Sequence, residues 1–170
     1  LEKSISIMKE IWEIFYNNDT QLLQKNIIKE NDLFVSPIDI NDSNIPNGNS
    51  IYLNLCNKLY TITNDKIWAE KVEILKKSFH QVLNSFYSQM FSFIKILDLC
   101  DDSISFTFFG KQESIKEIKI NLQKNYLGRA TFIYKNINEI DGSVVVCKNQ
   151  TCSEKLKNLV EINNYIENKF

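Results

Sequence analysis

The sequence predicts an α+β protein that is mainly helical, with a helical segment over residues 1–101 followed by a small β-α-β-β-α unit over residues 102–170. Two observations favour this fold class. Apolar residues recur at the i, i+3, i+4 spacing of helices through most of the first segment. After Asp101-Asp102 the period changes to two in Ser103–Phe109, which is typical of a strand. A chain of 170 residues suits one domain, or one domain with a small second unit.

The composition argues against several classes of partner. The net charge is −1 and there is no block of Lys or Arg, so neither nucleic acid nor an anionic membrane surface is expected to be the main partner. No apolar run is long enough to span a membrane, and no signal peptide is visible. Four cysteines are too few for a disulfide scaffold, and a cytoplasmic, reducing location is therefore the expectation.

The first segment opens with a predicted helix over Leu1–Asn17. Its apolar stripe consists of Ile5, Met8, Ile11, Trp12 and Phe15. Gln21–Glu30 fits either a short helix or an irregular strand. Leu33–Val35 is a predicted extended piece, since Pro37 disfavours helix in the residue before it. The chain starts inside this first helix without Met, and we expect it to be a piece of a longer protein.

The first segment is organised around Pro46–Ser50, a polar corner that runs into a predicted helix over Ile51–Ile62. Either Asn47 or Asn49 can cap the free N–H groups at the start of this helix. One of its faces carries Tyr52, Leu55, Cys56, Leu59 and Ile62, and another carries Leu53 and Tyr60. A helix that is apolar on more than one side is expected to lie buried between two layers of protein.

A second helix is predicted over Lys66–Ser88, after a turn in which Asn64 can take the left-handed conformation and Asp65 can act as N-cap. Its apolar seam consists of Trp68, Val72, Leu75, Phe79, Val82 and Phe86. Two helices joined by so short a turn are expected to form an αα-hairpin. Met90–Leu99 is predicted to add a helix whose apolar side carries Phe91, Ile94 and Leu97, with Phe93 and Ile96 beside them.

The second segment alternates strands and helices. Its first predicted strand is Ser103–Phe109, which ends at Gly110. It continues with a helix over Ser114–Tyr126, strands over Ala130–Tyr134 and Ser143–Cys147, and a closing helix over Ser153–Asn168. The first two strands should be parallel and joined by a right-handed crossover. Gly110-Lys111 is similar to a phosphate-binding turn but lacks the further glycines of the nucleotide motifs.

Two spaced motifs match those of a known family. The first is Asp42 followed by Pro46-Asn47-Gly48-Asn49-Ser50, and the second is Val145-Val146-Cys147 closing with Cys152. The residues that match between the motifs are Leu55, Leu59, Thr63-Asn64-Asp65 and Gly110. On this basis the chain resembles the C-terminal part of the YyaL-type proteins, the thioredoxin-domain family that includes spermatogenesis-associated protein 20. It departs from the family in having Asn47 where Ser is usual and Ser36 where Arg is frequent.

The resemblance implies a fold and a set of partners. Proteins of this family carry an N-terminal thioredoxin-like domain followed by an α/α toroid similar to that of six-hairpin glycosidases and carbohydrate-acting epimerases. The predicted helices are too few to close a ring, so the resemblance implies an incomplete α/α toroid. Its partner would be the missing N-terminal portion of a longer protein or a second copy of the chain. The chain has no C-x-x-C motif, so the family's redox label does not transfer, and we expect no cofactor.

The resemblance also implies a ligand site at the toroid mouth, formed by Asp42, Asn47, Asn49 and Ser50. Asn and Ser side chains offer donors and acceptors to a sugar-like molecule. Asp42 could serve as acid or base, but glycoside chemistry needs a second carboxylate that the sequence does not identify. We therefore expect one wall of a carbohydrate-like pocket that is not catalytic alone. The alternative is that Asp42, Asn47 and Asn49 only satisfy N–H groups of the loop and the helix start.

Cys147 and Cys152 form the second candidate site. Cys152 lies just before the predicted closing helix, whose dipole would lower the pKa of its thiol, and the intervening turn can bring the two sulfurs together. The pair could act as a reversible disulfide or as half of a metal site completed elsewhere, although no complete metal site is expected. The alternative is two buried small apolar residues. A third possibility for the whole chain is a structural piece that associates with a partner.

The remaining cysteines and the single histidine are not assigned a function. Cys56 and Cys100 lie in apolar helical settings and are predicted to belong to the core. His80 falls on the polar face of its helix with no orienting partner in sequence, so we expect a solvated side chain. No catalytic residue can be named from the sequence.

Overall fold

A computed structural model describes residues 1–26, 38–126, 128–135, 142–149 and 151–169. These residues form a mainly helical α+β fold with two small sheets, which confirms the predicted fold class. The chain divides into two compact units, Leu1–Cys100 and Asp101–Phe170. The sequence had placed this division one residue later. Among the described residues, the helices are too short or too polar to cross a membrane.

The first unit begins with helix α1 (Glu2–Phe15), followed by two short antiparallel strands, β1 (Tyr16–Asn17) and β2 (Leu22–Leu23). The Asn17 Oδ1 atom accepts hydrogen bonds from the backbone N–H groups of the turn between the strands, which fixes the turn locally. The part of Gln21–Glu30 that the structure describes is therefore a strand and a turn rather than a helix. The predicted extended piece Leu33–Val35 lies outside the described residues.

Helix α2 (Gly48–Thr63) begins at Gly48 rather than Ile51, because the Asn47 side chain accepts a hydrogen bond from the Ser50 N–H at 2.8 Å and caps the helix there. The expectation that α2 lies buried between two layers holds for only part of its apolar surface. Its buried residues are Asn49, Ser50, Tyr52, Leu53, Cys56 and Leu59. By contrast, Ile51, Leu55 and Ile62 are 45%, 41% and 37% exposed.

Helix α3 (Lys66–Phe86) packs against α2 after the predicted turn. Asn64 has a φ of 55°, and the Asp65 Oδ1 atom accepts a hydrogen bond from the Ile67 N–H, so both predicted roles are confirmed. The predicted seam of α3 supplies four core side chains, Trp68, Val72, Leu75 and Phe79. Helix α4 (Phe91–Asp101) faces the core through Phe93 and Ile96, whereas Phe91 is 69% exposed. Of the predicted apolar side of α4, Leu97 packs against the core, whereas the prediction is wrong for Phe91 and Ile94, which are exposed.

The second unit contains a four-stranded sheet and two helices. In chain order they are β3 (Ile104–Phe109), α5 (Gln112–Tyr126), β4 (Ala130–Lys135), β5 (Ser143–Lys148), β6 (Thr151–Cys152) and α6 (Leu159–Lys169). The strand order is β4-β3-β5-β6, with β3 and β4 parallel as predicted and the other pairs antiparallel. The prediction of three strands missed β6.

The closing helix starts at Leu159, so its predicted start at Ser153 is wrong. Residues 153–156 instead run along the outer edge of β5. There Val144 and Leu156 exchange backbone hydrogen bonds of 2.8 and 2.9 Å, and the Ser153 Oγ atom accepts one from the Val146 N–H at 3.0 Å. The Asn158 side chain then caps α6 by accepting a hydrogen bond from the Glu161 N–H at 2.9 Å.

Candidate functional site

Asp42 joins the starts of two helices in the first unit. Its Oδ1 atom accepts hydrogen bonds of 3.0 Å from both the backbone N–H and the side-chain amide of Asn47, which caps α2. Its Oδ2 atom accepts a 2.6 Å hydrogen bond from the Ser92 N–H in the first turn of α4. Both oxygens of the carboxylate are therefore bonded to the protein's own loop and helix ends, and an anion at a helix start is favourable.

The protonation of Asp42 follows from these contacts. Burial favours the neutral acid and would raise the pKa of this carboxyl, but the hydrogen bonds from Ser92 and Asn47 outweigh it and hold the pKa below its ordinary value. The carboxylate is consequently ionised at neutral pH. A general acid must hold its proton near the working pH, so Asp42 is unsuited to that role.

The two asparagines of the corner are also bonded within the protein. The Asn47 side-chain amide donates a second hydrogen bond to the Ile40 carbonyl at 3.1 Å. The Asn49 Oδ1 atom accepts from the Leu23 N–H at 2.7 Å, and its amide donates to the Leu23 carbonyl at 2.9 Å and the Asp39 carbonyl at 3.3 Å. Asn49 thus completes the backbone hydrogen bonding of β2, and Asn47 is the helix cap. Both arrangements satisfy the loop and the helix start.

Ser50 lies inside the first unit and is fully buried. Its Oγ atom has no hydrogen-bond partner among the described residues. Ser50 and Asp42 do not line the cavity described next, whereas Asn47 and Asn49 contribute to its wall. The structure therefore brings two of the four predicted ligand residues into the lining of a cavity, and the other two are not part of that lining.

A cavity of about 520 Å³ lies at the start of α2. Its apolar wall comes from α1, α2 and the preceding loop, through Ile11, Phe15, Ile45, Ile51, Tyr52 and Leu55. Its polar rim is formed by Gln24, Lys25, Asp39, Asn41 and Ser43, with Lys25 and Asp39 paired at 3.5 Å. This volume is within the range of small-molecule sites, which combine apolar walls with a few polar groups.

This apolar wall is not predicted from the sequence, because the corner before α2 consists mainly of polar residues. One signal was present: Ile45 follows the polar run Asn41–Asn44, and it is 72% exposed. A second residue was missed on α3. Lys71 is buried, with its ammonium 3.6 Å from the centre of the Trp12 ring, and burial lowers its pKa. Neither a charged residue on a buried face nor an exposed isoleucine follows from helical periodicity.

Cys147 and Cys152 are joined by a disulfide with an S–S distance of 2.11 Å. They face each other across the β5–β6 pair, and Cys152 is exposed, so the alternative of two buried apolar residues is wrong. The helix-dipole argument for Cys152 is also wrong, since Cys152 belongs to β6 and α6 begins only at Leu159. Beside the disulfide, Lys148 forms a 2.7 Å ion pair with Asp102.

The other titratable candidates behave as core or surface residues. Burial raises the pKa of the Cys56 thiol to about 12, so it carries no thiolate at neutral pH. His80 is exposed, as predicted. Within the described parts of the chain, no three metal-ligating side chains come together.

The chain matches no protein-family model, and no curated protein is significantly similar to it. The resemblance to the YyaL-type proteins therefore stays a prediction. The cavity at the start of α2 and the disulfide are the structural features that bear on function.

Proposed function

We propose that the chain is a cytoplasmic binding segment that forms one wall of a pocket for a small molecule with an apolar face and a polar edge. The cavity at the start of α2 carries this proposal. Phe15 and Tyr52 offer ring surface to the C–H face of a sugar-like ring, and the rim offers amide and carboxylate groups to its hydroxyls. A molecule with both characters fits this lining better than a purely apolar or purely polar one.

The described lining of the cavity contains one carboxylate, which favours binding over catalysis. Within the described lining, Asp39 is the carboxylate, and it is paired with Lys25. Glycoside chemistry needs a second carboxylate across the scissile bond. Asp42, the predicted candidate, is outside the lining and is held by Ser92 and Asn47.

The wider assembly is part of the proposal. α2 and α3, joined by the turn at Asn64-Asp65, would form one αα-hairpin of an incomplete α/α toroid of the YyaL type. The exposed apolar residues of α2 support this, because a helix that closes on neighbours elsewhere needs a second apolar face. The rest of a longer protein, or a second copy, would supply those neighbours.

The test is ligand binding followed by NMR on the methyl groups of Ile51 and Leu55, which line the cavity. The probes are methyl glucoside, as a sugar-like ring, and anilinonaphthalenesulfonate, as an apolar anion. We expect both methyl groups to shift with at least one probe. Ile45→Glu places a charge in the cavity wall and should weaken binding about tenfold, which corresponds to about 1.4 kcal/mol.

The matched control is Ile67→Glu, because Ile67 is also an exposed isoleucine but lies at the start of α3, outside the cavity lining. Its affinity for the probes should equal that of the unchanged chain. The pocket would be refuted if neither probe shifts the methyl signals. It would also be refuted if Ile45→Glu and Ile67→Glu lose the same amount of affinity for the probes.

A thiol switch is a second candidate, and the observed disulfide between Cys147 and Cys152 favours it. In the exchange, two glutathione molecules, or one dithiol, transfer two electrons and two protons to the disulfide. The S–S bond breaks, two thiols form in the chain, and the reductant becomes a disulfide. Since Cys152 is exposed, a reductant can reach it.

This candidate is tested by alkylation and mass measurement in glutathione buffers. A switch requires Cys147 and Cys152 to become alkylated together at the cytosolic potential of roughly −220 to −260 mV. Buried Cys56 is the internal control, since it should be alkylated only when the first unit unfolds. A disulfide that stays closed throughout this range is a structural bond and not a switch.

A further inference from the structure

A short segment of the second unit covers the outer edge of β5. This segment, residues 151–156, is called the strap; it begins with β6 and ends shortly before α6. At the start of the strap, Thr151 and Cys152 pair with the last two residues of β5. At its end, Leu156 exchanges two backbone hydrogen bonds with Val144. The strap therefore supplies hydrogen-bond partners to β5 on the side away from β3.

The residues of β5 that bond to the strap are buried. Val144 and Val146 belong to the core of the second unit and are both fully buried. Val144 bonds to Leu156 through its N–H and its C=O. Val146 bonds to Ser153, through its C=O to the Ser153 N–H and through its N–H to the Ser153 Oγ atom. When the strap leaves, water has to replace it at these four backbone groups.

The strap itself buries little apolar surface. Leu156 packs against the core of the second unit and is half-buried. Lys155 adds one contact, with its ammonium 4.8 Å from the centre of the Phe109 ring. The exposed residues of the strap are Thr151, Cys152, Glu154 and Lys155. Solvent-exposed hydrogen bonds and cation–π contacts contribute little each, so the noncovalent contacts hold the strap weakly.

One covalent bond reinforces these contacts. The disulfide between Cys147 and Cys152 ties the start of the strap to β5. Beyond the end of the strap, the Lys157 N–H and the Asn158 side-chain amide donate hydrogen bonds of 2.8 and 2.7 Å to the Glu161 carboxylate. The first turn of α6 is thus held by its own residues and does not need the strap. The segment that depends on the disulfide is limited to residues 151–156.

We propose that the disulfide is a redox-sensitive bond that holds the strap on β5, and that its reduction releases residues 151–156 while the sheet and α6 stay folded. The proposal deepens the thiol-switch candidate and rests on it only for the reduction in a cell. Two glutathione thiols supply two electrons and two protons, the S–S bond breaks, two cysteine thiols form, and glutathione disulfide is released. Reoxidation by glutathione disulfide reverses these steps and closes the strap.

The alternating geometry of β5 supplies an internal reference. Successive N–H groups of a strand point to opposite edges. The N–H groups of Val144 and Val146 point to the strap, so that of Val145 points to β3, where Val145 pairs with Thr107. Release of the strap exposes the first two N–H groups and leaves the third bonded. Unfolding of the whole sheet exposes all three.

The test is amide hydrogen exchange, followed by NMR on the full chain before and after reduction with dithiothreitol. On reduction, the amides of Val144, Val146 and Leu156 should exchange at least about tenfold faster, because local opening now exposes them. The exchange rate of the Val145 amide should change by less than about twofold.

Three variants separate the disulfide from other causes. The double variant Cys147→Ser, Cys152→Ser should exchange like the reduced chain, and dithiothreitol should change it no further. Its control is Cys100→Ser, which removes a free cysteine and should behave like the unchanged chain in both states. Ser153→Ala removes the acceptor of the Val146 N–H with the disulfide closed, so this amide alone should exchange faster.

Two outcomes would overturn the proposal. In the first, the amides that face the strap keep their slow exchange in the reduced chain and in the double serine variant. In the second, Val145 accelerates by the same factor as Val144, which means that the whole sheet opens. Release of the strap in the double variant, with a disulfide that stays closed in glutathione buffers, supports the proposal and refutes the thiol switch. Alkylation in those buffers without faster exchange supports the switch and refutes the proposal.

Discussion

The polar loop before α2 lies next to an exposed row on α2 formed by Ile51, Leu55 and Ile62. The loop's polar side chains bond within the protein, whereas the row's apolar side chains are left exposed. Asp42, Asn47 and Asn49 look available for a ligand in sequence, yet their polar atoms bond to the loop, to β2 and to the starts of α2 and α4. Ile51, Leu55 and Ile62 look like core residues, yet they face solvent. Buried backbone N–H and C=O groups need hydrogen-bond partners, and the polar side chains of the loop serve as those partners. The apolar residues that the core does not bury are therefore the ones available to bind a ligand or a partner.

Asn49→Ala should lower the free energy of unfolding more than any other substitution considered for these two regions. It removes the acceptor for the Leu23 N–H and the donor to the Leu23 carbonyl, and leaves both groups of this buried residue unpaired. We expect a loss of about 3 kcal/mol in the free energy of unfolding, measured with urea. Asn54→Ala, on the same helix but with no side-chain hydrogen bond to the described residues, should cost less than about 0.5 kcal/mol. If both variants lose equally little free energy of unfolding, the Asn49 side chain is not needed for stability and could bind a ligand.

Asp42→Asn should have an intermediate effect of about 2 kcal/mol at neutral pH, since the amide offers one acceptor oxygen in place of two. The pH dependence has a definite sign. Because the folded pKa of Asp42 lies below its ordinary value, its contribution is present above that ordinary value and is lost as the pH falls through the folded pKa. The free energy of unfolding of Asp42→Asn should therefore lack this decline at acidic pH.

The control for this prediction is Asp39→Asn, which removes an exposed ion pair with Lys25 and should cost only a few tenths of a kcal/mol. Urea unfolding at a series of pH values measures both variants. An acid-side decline of the same size in Asp42→Asn and the unchanged chain would show that another carboxyl is responsible.

The sequence predicts features that depend on nearby residues. The cap at Asn47 or Asn49, the left-handed Asn64 and the cap at Asp65 each involve partners within a few positions. All three are found, and Asn47 is the residue that caps α2. The parallel pairing of β3 and β4 also follows, because the helix between them requires a crossover connection. In each case a local rule of backbone geometry decides the outcome.

Features that depend on distant partners could not be predicted. Ser92 bonds to Asp42 across fifty positions of the chain, and no local pattern indicates it. Residues 153–156 have helical spacing, but hydrogen bonds along β5 hold them extended. Helical periodicity also cannot tell whether the side of α2 that carries Leu55 is covered by the same chain or by another.

Leu55→Gln should have the smallest effect on the free energy of unfolding. It tests whether the side of α2 that carries Leu55 is covered in solution. Leu55 is two-fifths exposed, so the change removes little buried apolar surface and should alter the free energy of unfolding by less than about 0.5 kcal/mol. Its matched control is Leu59→Gln, one turn further along α2 and buried, which should cost about 3 kcal/mol. If Leu55→Gln costs as much as Leu59→Gln, the row is already covered in solution. A concentration-dependent cost would identify the cover as a second copy, because association stabilises by mass action. A cost independent of concentration would place the cover within the chain itself, and the contrast between the polar loop and the exposed row would then fail.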